Sequence, residues 1–170
     1  KDYPRSVELY KALEEKYPDE KEVLYWLGNA YLGDDYKRCA DALPYHERVM
    51  LIDRDYLTVY GPLLRCYDQT GKLDEALIFG RKFLAGHEGD ARSQTLMGDI
   101  HQLRREMAAA MFRYHKALEI DPKFLDALTN MASAYVLQER YDEARAVYEQ
   151  ILDLLPPGAA TSYLTLQNLG

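Results

Sequence analysis

The sequence predicts an all-α fold, a solenoid of antiparallel helix pairs, from three observations. A pattern returns four times, and three of its copies are spaced by 34 residues: a large side chain such as Tyr135 is followed nine positions later by a small one such as Ala144. Within each copy, apolar residues recur at steps of three and four, which is the spacing of one helix face. Prolines such as Pro122 and Pro156 close the copies. A fixed period of this size is typical of repeat arrays, in which each helical hairpin buries its apolar face against the next.

The copies divide the chain into one continuous array. The last copy has Ala132, Tyr135, Ala144, Tyr148, Ile151 and Pro156, and the copy before it has Gly98, His101, Ala110, Tyr114, Ala117 and Pro122. A more divergent copy keeps Tyr67 and Ala76, and the first, which is longer by two residues, has Leu24, Leu27, Gly28 and Tyr31. We therefore expect a half repeat at 1–20, full repeats at 21–56, 57–90, 91–124 and 125–158, and the start of a further repeat at 159–170.

Each full repeat is expected to form two helices that cross closely at small residues. In the last repeat, Leu128 and Met131 lie on the inner face of the first helix, and Val147 lies on that of the second. Asp142 is expected to cap the second helix, because its side chain can accept from free backbone N–H groups there.

Two copies depart from the pattern. In the first, the extra residues follow Gly33-Asp34-Asp35-Tyr36 and Pro44 falls where the second helix should be under way, so we predict a lengthened loop between the two helices with Asp41 as the cap. In the second, Gly61 and Pro62 fall inside the expected first helix. That helix either starts late or is kinked there.

Composition excludes several classes of function. The net charge is −7 and the pI about 5.1, and the basic residues do not cluster, so we expect no nucleic-acid partner. No apolar run approaches the roughly 20 residues of a membrane-spanning helix, so we expect no membrane insertion. Two cysteines cannot be interpreted as a disulfide framework or metal site, and Cys66, in a small-residue position, is expected to be a buried inert thiol. Both ends of the chain fall inside a repeat, which predicts a fragment of a longer protein.

No catalytic or metal-binding constellation is recognisable, so the sequence predicts neither an enzyme nor a cofactor. The histidines fall on different elements and form no pair at metal-ligand spacing; they are His46, His87, His101 and His115. His101 occupies a core tyrosine position and is expected to be a hydrogen-bonded structural histidine.

These anchor residues resemble the tetratricopeptide repeat pattern, which runs large, Leu, Gly/Ala, Tyr, then Ala, Phe/Tyr, Ala and Pro. The residues that match are Gly28, Tyr31, Ala76, Gly98, Ala110, Tyr114, Ala117, Pro122, Ala132, Tyr135, Ala144, Tyr148 and Pro156. The resemblance implies a right-handed superhelix. It also implies that the first helix of each pair lines a concave groove, which binds a peptide or a partner protein.

The groove positions implied by the resemblance combine aromatic, charged and hydroxyl side chains. They include Tyr25, Trp26, Asn29, Arg65, Asp68, Arg92, Thr95, Asp99, Gln102, Asn130 and Ser133. Trp26 either faces the groove or packs on the N-terminal half repeat. Arg65 and Arg92 either bind a partner's carboxylate or pair with Asp68 and Asp99.

One use of the family, a clamp for the acidic C-termini of heat-shock chaperones, does not fit. Its Lys, Asn and Arg positions hold Tyr25, Asn29, Pro62, Arg92 and Leu96 here. Asn29 matches and Arg92 supplies the charge of a Lys position, but the other three positions fail. The favoured hypothesis is a non-catalytic interaction scaffold for a protein partner. The alternatives are the repeat region of a larger enzyme, such as a glycosyltransferase, and self-association through the terminal half repeats, where Tyr163, Leu164, Leu166 and Leu169 would be exposed.

Overall fold

A computed structural model describes residues 2–33 and 37–156, and within these ranges every regular element is a helix. The chain divides into two compact units, residues 1–83 and 84–170. The first unit has α1 (Tyr3–Lys16), α2 (Lys21–Leu32), α3 (Cys39–Ile52), a 3₁₀ turn (Leu57–Val59), α4 (Tyr60–Thr70) and α5 (Leu73–Leu84), which ends at the boundary. The second has α6 (Ala91–Leu103), α7 (Met107–Ile120), α8 (Leu125–Leu137) and α9 (Tyr141–Leu154). The predicted all-α class is confirmed, and the repeat boundaries stay a prediction.

Within each unit, consecutive helices pack against each other at small residues. The pairs α2–α3, α6–α7 and α8–α9 are in contact, and α3 and α7 also contact the helices that follow them, α4 and α8. Ala110 is fully buried and Ala144 is nearly so. Because a methyl group is the largest side chain that these crossings accommodate, the backbones approach as the sequence predicts.

Gly71 caps the C-terminus of α4, and Gly86 lies just beyond the end of α5. Their φ angles are +65° and +74°, in the left-handed region that glycine adopts without steric cost.

The two irregular copies depart from a regular helix pair in different ways. The first helix of the second repeat starts late: the 3₁₀ turn precedes α4, and Pro62 falls within the first turn of α4, where its missing N–H costs no hydrogen bond. In the first repeat, the prediction that Asp41 caps α3 is wrong. The helix begins at Cys39 with Arg38 as N-cap, Asp41 lies in its first turn and accepts from Arg38 Nε at 2.8 Å, and Pro44 lies inside the helix. Residues 34–36 of the lengthened loop lie outside the described ranges.

The cap predicted for α9 is also wrong. Arg140 is the N-cap, and no side chain there makes a capping hydrogen bond. Asp142 and Glu143 instead place negative charge in the first turn, beside the positive end of the helix dipole.

The expectation that Cys66 is a free thiol is corrected by the structure. Cys39 at the start of α3 and Cys66 in α4 form a disulfide, with Cα atoms 4.8 Å apart. Both residues are buried, so Cys66 does occupy the small-residue position of its helix. The pairing could not be inferred from two cysteines 27 residues apart, because it depends on how α3 crosses α4.

No described helix is both long enough and apolar enough to cross a bilayer. The residues proposed for self-association, Tyr163, Leu164, Leu166 and Leu169, lie outside the described ranges, as does the whole segment 159–170.

Candidate partner-binding faces

An aromatic cluster lies on α2, with the predicted site residues Tyr25 and Trp26 at its centre. Their ring centroids are 5.1 Å apart in an edge-on arrangement, and Tyr56 also packs edge-on against Tyr25, with ring centroids 5.2 Å apart. Trp26 is 51% exposed although it is the largest side chain of the unit. A rigid aromatic side chain held in place by neighbours and open to solvent is typical of interface hot spots.

Trp26 also lies beside α1. A groove of about 320 Å³ runs between α1 and α2 and is lined by Tyr3, Ser6, Tyr10, Trp26, Asn29, Ala30 and Gly33. Trp26 therefore lines a groove whose opposite wall is α1, and whether Trp26 faces a partner stays a prediction. We call this the N-terminal groove.

Sequence reasoning missed the contribution of α1 to this groove, because it assigned binding positions to the first helix of each pair alone. The one signal available was Tyr10, which falls in the same repeat position as Tyr114 and Tyr148.

Arg65 and Asp68 lie on α4, and both side chains are exposed. They stand on the same helix three residues apart, next to the buried Cys66 and Tyr67. This part of the first unit therefore presents charge of both signs beside a rigid core.

In the second unit, three of the predicted site residues form one hydrogen-bonded network between α6, α7 and α8. Tyr114 Oη donates to Asp99 Oδ1 at 2.8 Å, and Asn130 Nδ2 donates to the same oxygen at 2.7 Å. Gln102 Oε1 lies 3.0 Å from the Tyr114 hydroxyl. Burial together with the Asp99 carboxylate raises the pKa of Tyr114 far above its usual value. This network fixes α8 against α6.

Thr95 and Ser133 satisfy their hydroxyl groups within their own helices. Thr95 Oγ1 donates to the carbonyl of Ala91 at 2.8 Å, and Ser133 Oγ donates to that of Thr129 at 3.0 Å. Thr95 is buried, whereas Arg92 and Ser133 are half-buried. Whether any predicted groove residue contacts a partner stays a prediction.

In the first unit, His46 occupies the position that Tyr114 occupies in the second, but its side chain makes no hydrogen bond among the described residues. The His46 ring lies against Gly28 as the Tyr114 ring lies against Gly98. It is fully buried, and neither ring nitrogen has a hydrogen-bond partner among the described residues. Burial lowers the pKa of His46 to about 4, so the ring is neutral near pH 7.

His101 confirms the expectation of a hydrogen-bonded structural histidine. Its Nδ1 lies 2.6 Å from Glu106 Oε2, and Arg104 Nε donates to the other oxygen of the same carboxylate at 2.8 Å. These two partners, His101 first, lower the pKa of Glu106. Within the described ranges, no group of three or more His, Cys, Asp or Glu side chains could hold a metal ion.

Comparison with known proteins identifies the repeat. Two tetratricopeptide repeat models match residues 1–53 and 104–166, which together make up more than half of the chain. The chain is 28% identical over 102 residues to anaphase-promoting complex subunit 7 of Arabidopsis thaliana. That match covers 58% of this chain and only 18% of the relative, so the chain spans about a fifth of the relative's length.

Solved structures with the same fold are more distant in sequence. TTC0263, a thermophilic tetratricopeptide repeat protein of Thermus thermophilus, is 21% identical with a TM-score of 0.67, and the match covers 98% of this chain and 90% of that one. MamA from Desulfovibrio magneticus is 17% identical with a TM-score of 0.59, and the match covers 89% of this chain and 85% of that one. At these identities the likeness concerns the fold.

Proposed function

From the premise that this chain belongs to the tetratricopeptide repeat family, we propose that it is a non-catalytic scaffold that binds a segment of a partner protein. The binding surface in this proposal is the face formed by the first helix of each pair. It comprises α2 and α4 in the first unit and α6 and α8 in the second.

The observation that carries the proposal is the exposure of Trp26. A tryptophan that is 51% exposed and braced by Tyr25 keeps a large apolar surface in water, and a partner would cover it. Trp, Tyr and Arg supply most of the binding energy at protein interfaces, where residues of this kind gain most when they are desolvated.

The distribution of burial indicates which predicted residues can contribute to binding. Asp99 and Thr95 are buried and bonded within the second unit, so they serve its packing first. Arg65 and Asp68 are exposed and can select a partner by charge. A partner segment with an apolar side chain for Trp26 and charges matched to Arg65 and Asp68 fits this surface best.

The comparisons support a protein as the ligand class. The relative from Arabidopsis is, by its name, a subunit of a multiprotein complex. This chain spans a small part of that relative, so the likeness extends to the type of module and leaves the identity of the partner open.

The proposal is tested by affinity capture on the immobilised full chain, with quantitative mass spectrometry of the retained proteins. Wild type is compared with Trp26→Ala, with Arg65→Glu and with a matched control, Lys82→Glu, which makes the same charge change as Arg65→Glu on the exposed face of α5. We expect at least one partner to be retained by wild type and by Lys82→Glu but depleted tenfold or more by Trp26→Ala and by Arg65→Glu. Equal retention by all four proteins would refute binding on the face formed by α2 and α4.

A further inference from the structure

The Cys39–Cys66 disulfide lies on the buried side of the charged part of α4. Cys39 is the first residue of α3, and Cys66 lies on α4 between Arg65 and Asp68, which are both exposed. Both cysteines are buried. The bond therefore fixes to α3 the segment of α4 that carries these two charges.

Helix α4 depends on such contacts for its position. It has 11 residues and follows a 3₁₀ turn, and among the described residues no side chain makes a capping hydrogen bond at its N-terminus. Its buried residues are Leu63, Cys66 and Tyr67. Tyr67 Oη donates to Glu47 Oε1 of α3 at 2.5 Å. Because isolated helices of this length are marginal in water, the disulfide and this hydrogen bond together hold α4 on α3.

The start of α3, by contrast, is weakly held. Arg38 is the N-cap, and within the described ranges no side chain makes a capping hydrogen bond there. Arg38 pairs with Asp41, but their side chains are 57% and 49% exposed, and ion pairs in solvent contribute little to stability. A helix end of this kind opens locally. Opening of the first turn uncovers the disulfide to a small reagent.

A polar group is already in place for the reduced form. Gln69 Oε1 lies 3.4 Å from Cys39 Sγ. The sulfur of a disulfide has no hydrogen to donate, whereas a thiol at Cys39 can donate to this oxygen. The N-terminus of α3 also favours negative charge, which makes Cys39 the better leaving group when the bond is broken.

We propose that the Cys39–Cys66 disulfide is a redox switch for the α4 binding face, opened by a low-molecular-weight thiol such as glutathione. The thiolate of one glutathione attacks Cys66 Sγ, forms a mixed disulfide with it, and releases Cys39 as a thiolate that takes a proton from water. A second glutathione attacks the glutathione sulfur of the mixed disulfide and releases Cys66. The two glutathione molecules leave as one disulfide, and two electrons have passed to the protein.

Reduction changes the fit between α3 and α4. The two thiols need more room than the disulfide, because no bond holds the sulfur atoms inside their van der Waals separation. Since both sulfurs are buried, they can separate only if the start of α3 or α4 itself moves. Arg65 and Asp68 move with α4. The oxidised form thus presents these charges in one arrangement, and the reduced form loosens them.

The test begins with the folded full chain in an excess of reduced glutathione without denaturant. Alkylation followed by intact mass measurement counts the thiols, and circular dichroism checks that the helices remain. Hydrogen exchange with mass spectrometry then compares the two forms. We expect at least tenfold faster exchange of the amides of α4 in the reduced form. Helix α7 of the second unit is the internal control and should exchange equally in both.

The matched control is the double variant Cys39→Ala with Cys66→Ala. Its α4 should exchange as in reduced wild type, with or without glutathione. The effect on a partner rests on the proposed function and is measured by the same affinity capture. We expect reduction to lower retention of the partner at least threefold in wild type and to leave retention by the double variant unchanged.

Three results would overturn the switch: resistance of the bond to glutathione in the folded protein, equal exchange of α4 in both forms, or loss of the helices on reduction, which would make the bond purely structural. Its failure differs from failure of the proposed function. Equal retention by oxidised and reduced wild type, with Trp26→Ala still depleting the partner, would overturn the switch alone. If wild type retains no partner, the proposed function fails and the exchange of α4 decides the switch.

Discussion

The Tyr114 ring of α7 packs directly against Gly98 of α6: a Cβ atom at residue 98 would lie 2.6 Å from Tyr114 Cδ1 and 3.0 Å from Cζ. The Tyr114 ring is fully buried and its hydroxyl is bonded to Asp99, so it cannot swing aside. The glycine is therefore required by the neighbouring side chain, because its own backbone is helical.

Gly98→Ala should destabilise the protein by about 1 to 3 kcal/mol, the usual cost of forcing extra volume into a packed site. The measurement is the free energy of unfolding from urea titration. Gly61→Ala is the matched control, since a Cβ atom there would meet no atom within 4 Å. That variant should be neutral or stabilising by up to about 1 kcal/mol. Similar destabilisation by both changes would contradict the assigned role of the Tyr114 ring.

Tyr114→Phe should cost about 1 to 3 kcal/mol, because it removes a buried hydrogen bond and leaves Asp99 with one donor fewer. The control is Tyr141→Phe at a residue that is 60% exposed, and its effect should stay within about 0.5 kcal/mol. Urea unfolding of both variants decides the point. If Tyr114→Phe matches wild type, the network does not hold α6 and α8 together.

The buried ring of His46 should make the stability pH-dependent. Its pKa in the folded protein is about 4, below the ordinary value of 6.5, so as the pH falls the unfolded chain binds a proton before the folded chain does. The contribution of His46 to the free energy of unfolding is therefore fully retained above pH 6.5 and is lost as the pH falls from 6.5 to 4. The total loss is about 3 kcal/mol.

The free energy of unfolding is measured for wild type and for His46→Phe at about pH 7 and at about pH 4.5. Most of the expected loss falls between these two pH values. Carboxylates common to both proteins cancel in the difference between the two, and the phenylalanine ring fills the same space. The variant should gain relative to wild type at the lower pH. If the difference between the two proteins is the same at both pH values, the assignment of His46 as a buried ring with no hydrogen-bond partner is wrong.

Reduction of the Cys39–Cys66 disulfide should lower the free energy of unfolding by about 3.5 kcal/mol. The bond closes a loop with a sequence separation of 27, and opening it restores conformational entropy to the unfolded chain. Urea unfolding with and without dithiothreitol measures the effect. The double variant Cys39→Ala with Cys66→Ala should be insensitive to the reductant. Two titratable thiols in the unreduced, denatured protein would rule the disulfide out.

The fold was predictable because the relevant information is local and repeated. The spacing of Ala110 and Tyr114 recurs at Ala144 and Tyr148, and one helix period places each pair on a buried face. The starts of α3 and α9 were not predictable from Asp41 and Asp142, because capping by a carboxylate competes with other local geometry and neither helix uses it. Gly61 and Pro62 left two alternatives open, and the 3₁₀ turn before α4 resolved them.

The candidate site was predicted only in part, because the anchor residues describe contacts within a repeat. Asp99 and Asn130 were assigned to a binding groove from their positions along the helices, but they meet each other 31 residues apart and bond within the unit. Tyr10 and Trp26 lie on different helices, and the space between them became visible only with both helices in place.

The sequence by itself determined that this chain is an all-α tetratricopeptide-type array, because the period, the small residues and the helix ends are all properties of neighbouring positions. The tertiary structure decided which polar groups are consumed by packing and which remain available, as Asp99 is bonded and Trp26 is open to solvent. It also decided that Cys39 joins Cys66. Such distinctions depend on distances between helices that are far apart in the chain, and those distances follow from the packing of whole side chains rather than from residue spacing.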